Sequence, residues 1–414
     1  MIPFVSDSHC SDSNDDPPQQ HNDPANEPTP SWGDNHEHDT SIPHLRIATL
    51  NINGLPKESR HVKNSSLREA IASHHLDIIG LSEINIKWDR VYPSNRLKQR
   101  AAKWWETCHC SYAYNYQDLS KVTYQPGGTA LITLHSTTHR IRPPSLSDSF
   151  GLGRWTSTLY SGKQGINLRI IQVYCPPPPS PLSHNSTYTQ QHRHFLNMKI
   201  SECPRTLFFQ HLSTFLHERH QAQEQIILMG DFNHIVDSPQ VLSFLEQHHL
   251  HNIHHTLHTS FHSHIPTYER GTRTIDAIFA SLTITASKGG FLPFKTFPSD
   301  HRLIWCDIQF DSLFGAPKLN IVPHSRRRLQ CEDPRIVKKF CDTYLTLLRS
   351  HGLLHAAHTL SLSIHGPLSP SQKHEFERID SLRIKFMLQA EKNVGSSEQA
   401  ESNFRPKSNT KGIG

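Results

Sequence analysis

Gln225-Ile226-Ile227-Leu228-Met229-Gly230-Asp231-Phe232-Asn233 is a short apolar run closed by glycine and handed on to a carboxylate and a carboxamide. A run of this length, β-branched at its start, reads as a buried core strand, so the polar pair stands at its mouth. Four further stretches follow the same plan. His44-Leu45-Arg46-Ile47-Ala48-Thr49-Leu50-Asn51-Ile52-Asn53-Gly54 ends in two carboxamides, which point the same way if the backbone stays extended. Asp77-Ile78-Ile79-Gly80-Leu81-Ser82-Glu83 ends in an acid. Leu168-Arg169-Ile170-Ile171-Gln172-Val173-Tyr174-Cys175 is stopped by the prolines beginning at Pro176, which cannot continue a central strand. Thr274-Ile275-Asp276-Ala277-Ile278-Phe279-Ala280-Ser281 follows, and Ser299-Asp300-His301 closes the series.

One Asp or Asn after a strand is ordinarily a turn former or a helix cap. Six such strand ends in fixed order say more. The ordered set resembles the endonuclease/exonuclease/phosphatase superfamily, which includes pancreatic deoxyribonuclease, exonuclease III and the apurinic-site endonucleases. It is most similar to the endonuclease domain of LINE-like non-LTR retrotransposons, where Leu50-Asn51-Ile52-Asn53-Gly54-Leu55 is a usual opening and Gly127-Gly128-Thr129-Ala130-Leu131 a usual strand signature. Asn53, where many repair enzymes carry aspartate, favours that branch. The resemblance covers about residues 44–311 and implies an α/β fold, a four-layer sandwich of two packed sheets flanked by helices, deoxyribonuclease-like.

The implied chemistry is phosphodiester hydrolysis, which needs charge neutralisation at the phosphoryl group, a base for water and stabilisation of the departing oxygen. Glu83 is the candidate ligand for Mg²⁺, with Mn²⁺ as the alternative ion, because a hard cation prefers oxygen and takes one or two carboxylates. Asn51 is placed to support metal or phosphate with its amide. From the family, Asp231 is expected to orient or deprotonate the attacking water, Asn233 to hold a phosphate oxygen and Tyr174 to stabilise negative charge. His301 is expected to donate to the phosphate, with either Asp276 or Asp300 setting its tautomer; Asp300 is also a candidate metal ligand. Asn53, Thr267 and Arg273 are the expected substrate contacts.

The expected function is that of a Mg²⁺-dependent endonuclease nicking DNA to leave a 3′-hydroxyl that primes reverse transcription, with DNA and a downstream reverse transcriptase as partners. A phosphatase or phosphodiesterase acting on inositol phosphates or phospholipids shares the fold, but the chain lacks the Trp-Cys-Asp-Arg signature of the inositol phosphatases. A catalytically silent nucleic-acid-binding remnant is the third reading, against which the intact Glu83, Asp231 and His301 stand.

Composition sets the organisation. Residues 1–43 hold nine acids and neither Lys nor Arg, with clustered Pro, Asn and Ser, and predict a disordered tail. The chain's formal +5 therefore becomes +14 over the remainder, a sign that suits a polyanionic partner. Residues 312–414 form a basic extension containing Arg326-Arg327-Arg328. Two helices are expected there, one capped by Asp333-Pro334 with a stripe of Ile336, Phe340, Tyr344 and Leu347, the other opened by Ser371 with Ile379, Leu382, Phe386 and Ala390 on one face, before a frayed end. Neither a secretory signal nor a membrane-length apolar run is present, and eight scattered cysteines read as reduced thiols, so the expected setting is nuclear or cytoplasmic. The chain has 33 histidines. Those from His248 to His264 lack the spacing of H-E-x-x-H and read as a polar, solvent-exposed segment near the DNA-facing rim.

Overall fold

Ile47 and Ala48 are neighbours on one strand, yet each is fully buried in a different core. That alternation, repeated along the apolar runs, is the sequence-level instruction for a sheet covered on both faces. In the computed structural model, which describes residues 30–37, 43–58, 60–180, 185–258, 265–315 and 333–394, two such sheets pack face to face. The chain divides into two units, residues 1–318 and 319–414.

The first sheet begins with β1 (Trp32–Gly33), β2 (His44–Asn51), β3 (Ile78–Ser82), β4 (Cys108–Ala113) and β5 (Thr129–Leu134). The second consists of β6 (Ile141–Ser147), β7 (Trp155–Ser161), β8 (Asn167–Tyr174), β9 (Gln225–Asp231), β10 (Leu250–Asn252) and β11 (Asp276–Ser281). The chain then returns to the first sheet with β12 (Lys288–Phe291) and β13 (Ile304–Gln309), giving the orders β1-β12-β13-β2-β3-β5-β4 and β10-β11-β9-β8-β7-β6. Helices α1 (Val62–Ser73) and α2 (Leu97–Trp104) cover the outer face of the first sheet through Leu67, Ile71, Leu97 and Ala101. After α3 (Thr187–Asn197), helices α4 (Pro204–Gln221) and α5 (Pro239–Gln247) cover the second through Phe208, Phe209, Leu212, Val241 and Phe244. The short α6 (Ile253–Leu257) and α7 (Phe310–Phe314) complete this unit, and the four-layer sandwich is the expected one.

Polar groups also join the sheets. Between them, Thr49 Oγ1 donates to Gln172 Oε1 at 3.1 Å, Gln172 Nε2 donates to Ser82 Oγ at 2.7 Å, and Ser82 Oγ donates to the Val173 carbonyl at 2.8 Å. This chain of bonds satisfies every buried polar side chain in it. Gly80 makes room for it, since a Cβ there would stand 1.8 Å from Gln172 Oε1.

Residues 30–37 depart from what their composition implies. Trp32 and Gly33 pair antiparallel with Phe291 and Gly290, the Trp32 ring packs edge-on against Phe291 at 5.3 Å, and Arg46 reaches the His36 carbonyl. The histidine segment departs as well. His248 and His254 are buried rather than solvent-exposed, and β10 pairs with the far end of β11, Leu250 opposite Ser281, away from Asp276. His262 and His264 lie outside the described residues, as do residues 1–29, Arg326-Arg327-Arg328 and the expected frayed end. Cys108, Cys110, Cys175, Cys306 and Cys341 are free thiols, but Cys203 is disulfide-bonded, which corrects the expectation for that residue.

The second unit contains α8 (Pro334–Ser350), α9 (Leu353–Ser363) and α10 (Pro370–Val394). Asp333 caps α8 by accepting from the Arg335 amide. The two expected apolar stripes are each other's partner, Tyr344, Leu347 and Leu348 meeting Ile379, Leu382 and Phe386, with Leu353 of the unexpected α9 between them. Among the described residues no helix is long and apolar enough to cross a membrane.

Gly80→Ala should lower the thermal midpoint, by a destabilisation of about 1–3 kcal/mol, because the added methyl overpacks the bonded Gln172. Combining it with Gln172→Ala should give less loss than the sum of the two single changes, measured as a double-mutant cycle by denaturant unfolding. Strict additivity would mean that Gly80 is not shaped by Gln172.

Candidate active site

Parallel pairing brings polar strand ends to one edge. Asn51 lies level with Ser82 across β2 and β3, and Tyr174 level with Asp231 across β8 and β9. Antiparallel β11 begins at that edge, its Asp276 directly opposite Asp231. Gly230 enables the approach: its φ is 143°, and a Cβ would stand 2.1 Å from the Val173 carbonyl oxygen, so Asp231 follows a residue that only glycine can supply.

The centre is the Asn51 carboxamide. Its Nδ2 donates to Glu83 Oε2 and to Asp231 Oδ2, both at 2.9 Å, while its Oδ1 accepts from the Asn53 amide. Asn51 therefore offers the two carboxylates its donor and has its oxygen engaged, which makes it a holder of Glu83 and Asp231 in this structure. Asn53 does not point with it. The chain turns at Asn53, φ 46°, and leaves that side chain exposed, so the extended geometry expected of the pair ends at Asn51.

Glu83, Asn85 and Asn233 also have left-handed backbones, with φ of 53°, 60° and 47°. Strain of this kind persists only when surrounding bonds impose it. The Glu83 carbonyl accepts from the Gly54 amide at 2.7 Å, Asn85 Oδ1 accepts from the Gly127 amide at 2.8 Å, and the Asn233 amide donates to Asp231 Oδ1 at 2.8 Å. Asn233 Nδ2 is bonded to the Cys175 carbonyl, just beyond Tyr174.

His301 Nδ1 stands 2.9 Å from Asp276 Oδ2, which answers which aspartate faces it. Asp300 turns elsewhere, its carboxylate 3.9 Å from Arg270 and 22% exposed. Burial opposes the charged imidazolium, but the carboxylate of Asp276, reinforced by Asp231 and Asp300, outweighs it and raises His301 to about 9. Burial and then the negative charge of Asp276 raise Asp231 to about 8. Tyr174 is pushed well above its usual range by burial, then by Glu83 and Asp231, so its hydroxyl keeps its proton. Burial, and then an excess of acids over the one imidazolium of His301, is why the cluster holds protons.

That excess of negative charge is what a divalent cation would neutralise, and the donors fit a hard one: carboxylate oxygens of Glu83 and Asp231 on either side of one amide nitrogen. Asp231, Asp276 and His301 also present ligand atoms within 4.8 Å of one another, and Asp276 and His301 are bonded to each other. Asp300 is outside that group.

Two expected substrate contacts are placed differently. Thr267 is fully buried and its Oγ1 accepts from the Ile275 and Asp276 amides, so it shapes the entry to β11 rather than facing solvent. Arg273 is exposed, with its carbonyl bonded to the Thr267 amide. Other residues go beyond the expected set. Lys63 Nζ donates to the Ile52 and Asn53 carbonyls, and burial lowers its pKa against the pull of Asp300 and Glu83. Ser299 Oγ donates to the Asn51 carbonyl and accepts from the His301 amide, and the Tyr268 ring lies 5.0 Å from that of His301. Only Ser299 belongs to a motif visible in the sequence; Lys63 has no neighbouring signal.

The sequence pattern of the Endonuclease/Exonuclease/phosphatase family matches residues 48–301, from within β2 to His301. The chain belongs to this family. Its fold is the one on which the family's nucleases and phosphatases are built. Among solved structures, the chain is similar to the human Nocturnin catalytic domain, at 18% identity over 65% of this chain and 95% of that one, with a TM-score of 0.46. It is similar to the AP endonuclease LMAP from Leishmania major, at 14% identity over 66% and 89%, with a TM-score of 0.48. A third likeness is to the endonuclease domain of TRAS1, a telomere-specific non-LTR retrotransposon, at 12% identity over 65% and 99%, with a TM-score of 0.41. Comparison with curated protein sequences gives no significant match.

Both raised pKa values carry a sign for stability. A folded pKa above the ordinary one means that folding favours the protonated form, so Asp231 loses stabilisation as pH rises from about 4 to about 8, and His301 from 6.5 to about 9. In chelator, the thermal midpoint should therefore fall between pH 6.5 and 8, where the two windows overlap. Asp231→Asn should flatten that fall, both by removing one titrating group and by weakening the field on His301. A parent midpoint that stays level or rises across this window would contradict the assignment.

Proposed function

We propose that this protein is a Mg²⁺-dependent phosphodiester hydrolase that nicks DNA, of the non-LTR retrotransposon kind, with Mn²⁺ as an alternative ion. The observation carrying the reading is the Asp276–His301 pair, bonded at 2.9 Å, beside buried Asp231 and across Asn51 from Glu83. The catalytic unit is assigned to residues 44–311. Retrotransposon kinship rests on Leu50-Asn51-Ile52-Asn53-Gly54-Leu55, and a reverse transcriptase extending the 3′-hydroxyl is the matching partner.

In this reading Asp231 accepts the proton of the attacking water as general base, held in aim by Asn51 and the Asn233 amide. His301, kept protonated by Asp276, donates a charge-assisted hydrogen bond to a phosphoryl oxygen. Tyr174, which keeps its proton, stabilises negative charge in the transition state as a donor. A divalent cation held by Glu83 would supply charge neutralisation at the phosphodiester and favour the ionised form of Asp231. The basic remainder of the chain meets DNA phosphates, giving sequence-tolerant, salt-sensitive binding.

The purified chain should relax supercoiled plasmid in Mg²⁺ and cease to do so in chelator. Asp231→Asn and His301→Ala should each slow nicking by roughly 10²–10⁴-fold with DNA affinity nearly unchanged, since both groups act mainly in the transition state. Glu83→Ala should raise the Mg²⁺ concentration needed for half-maximal rate. Undiminished nicking by Asp231→Asn would remove the site; hydrolysis of inositol phosphates with plasmid left intact would change the substrate class instead.

A further inference from the structure

The turn that follows β2 is built around one ammonium group. Lys63, in the first turn of α1, places Nζ 2.7 Å from the Ile52 carbonyl oxygen and 2.9 Å from that of Asn53. Two successive carbonyls converging on one point bring like partial charges together, and a cation between them offsets the repulsion. Neither carbonyl accepts from any other group among the described residues. The carbonyl just before them, that of Asn51, is held separately by Ser299 Oγ.

What the ammonium holds is the direction of Asn53. With its carbonyl turned to Lys63, Asn53 takes a left-handed backbone, φ 46°, and aims its amide back at Asn51 Oδ1, 2.9 Å away. A carboxamide has its oxygen and its NH₂ on opposite arms, so engaging Oδ1 fixes which way Nδ2 faces. Nδ2 then meets Glu83 Oε2 and Asp231 Oδ2, both at 2.9 Å. The path from Lys63 to the two carboxylates is thus unbroken. Lys63 is half-buried; burial works against its charge, and the acids Asp300 and Glu83 work for it. The carboxylate that the turn helps to hold therefore also helps to keep the cation that shapes the turn.

We propose that Lys63 is a positioning residue of the active site, setting the turn at Asn53 and through it the Asn51 carboxamide that aligns Glu83 with Asp231. Its consequence for catalysis rests on the hydrolase reading above; the tether itself rests on the bonds. A lysine beside this site could instead be thought a contact for a DNA phosphate, but two of its three protons are committed to carbonyls.

Two measurements on the full chain test this. Hydrogen exchange of the Asn53 amide reports its bond to Asn51 whether or not the protein cleaves anything. In Lys63→Ala that amide should exchange at least about fivefold faster than in the parent, while amides in the middle of β2 keep their protection. Plasmid nicking in saturating Mg²⁺ should show kcat lowered roughly 10²-fold with KM within about threefold, as expected of misplaced groups rather than a lost substrate contact. n-Propylammonium should restore part of both losses, and tetramethylammonium, a cation with no N–H to donate, should not. Unchanged exchange of the Asn53 amide overturns the proposal, as does a normal kcat or equal recovery with tetramethylammonium. A raised KM and a shallower salt dependence at normal kcat would make Lys63 a phosphate contact instead. Should Lys63→Ala not fold, Lys63→Met, which keeps the stem, decides by the same two readings. A parent that fails to nick refutes the hydrolase reading, and the exchange result then decides the tether by itself.

Discussion

A single carboxamide nitrogen joins the two sheets at their functional edge. Asn51 ends a strand of the first sheet, Glu83 directly follows another, and Asp231 ends a strand of the second; Asn51 Nδ2 bonds both carboxylates at 2.9 Å. Beneath it the same sheets are tied by Thr49, Gln172 and Ser82. Distances between acids on separate sheets would otherwise follow any sliding of one sheet over the other. With polar bonds crossing the apolar interface, sheet packing and site geometry become one constraint, and Gly80, on the strand that leads to Glu83, has a part in where Glu83 stands.

The same edge concentrates energetic costs that the rest of the fold must offset. Four non-glycine residues there have left-handed backbones, and acids crowd until Asp231 and His301 both retain protons at neutral pH. A fold optimised for stability alone would not gather these features. Elsewhere in the unit three buried ion pairs are bidentate, Arg46 with Asp307, Arg154 with Asp148 and Arg169 with Glu224. The contrast sets the site apart: these three pairs are matched charge for charge, whereas the acids around Asp231 stand in excess where a cation and a phosphate would meet them.

What the sequence discloses is what local patterning controls. Apolar runs closed by polar residues identified β2, β3, β8, β9 and β11, and their order pointed to the family. What it hides depends on distant parts of the chain. The turn at Asn53 is imposed by bonds from Lys63 and to Asn51, so the alternation rule stops one residue sooner than the run suggests. Thr267 looked like a surface contact because nothing local reveals that its hydroxyl closes on the Ile275 and Asp276 amides. His248 and His249 meet His217 and His220 only because two helices end side by side, which no spacing within residues 248–264 could show. In the second unit the two helical stripes were plain, but their mutual packing and the helix between them were not.

The short strand β1 has a bearing on how this molecule behaves among its own kind. Trp32 and Gly33 occupy the outer edge of β12, where Gly33 and Gly290 approach too closely for any side chain between them. An open strand edge invites pairing with another chain, and two residues are too few to offer a new template in exchange. Trp32 and Gly33 therefore cover an adhesive border, an office that the polar composition around them conceals and that Trp32, set among Asp, Asn and Pro, announces.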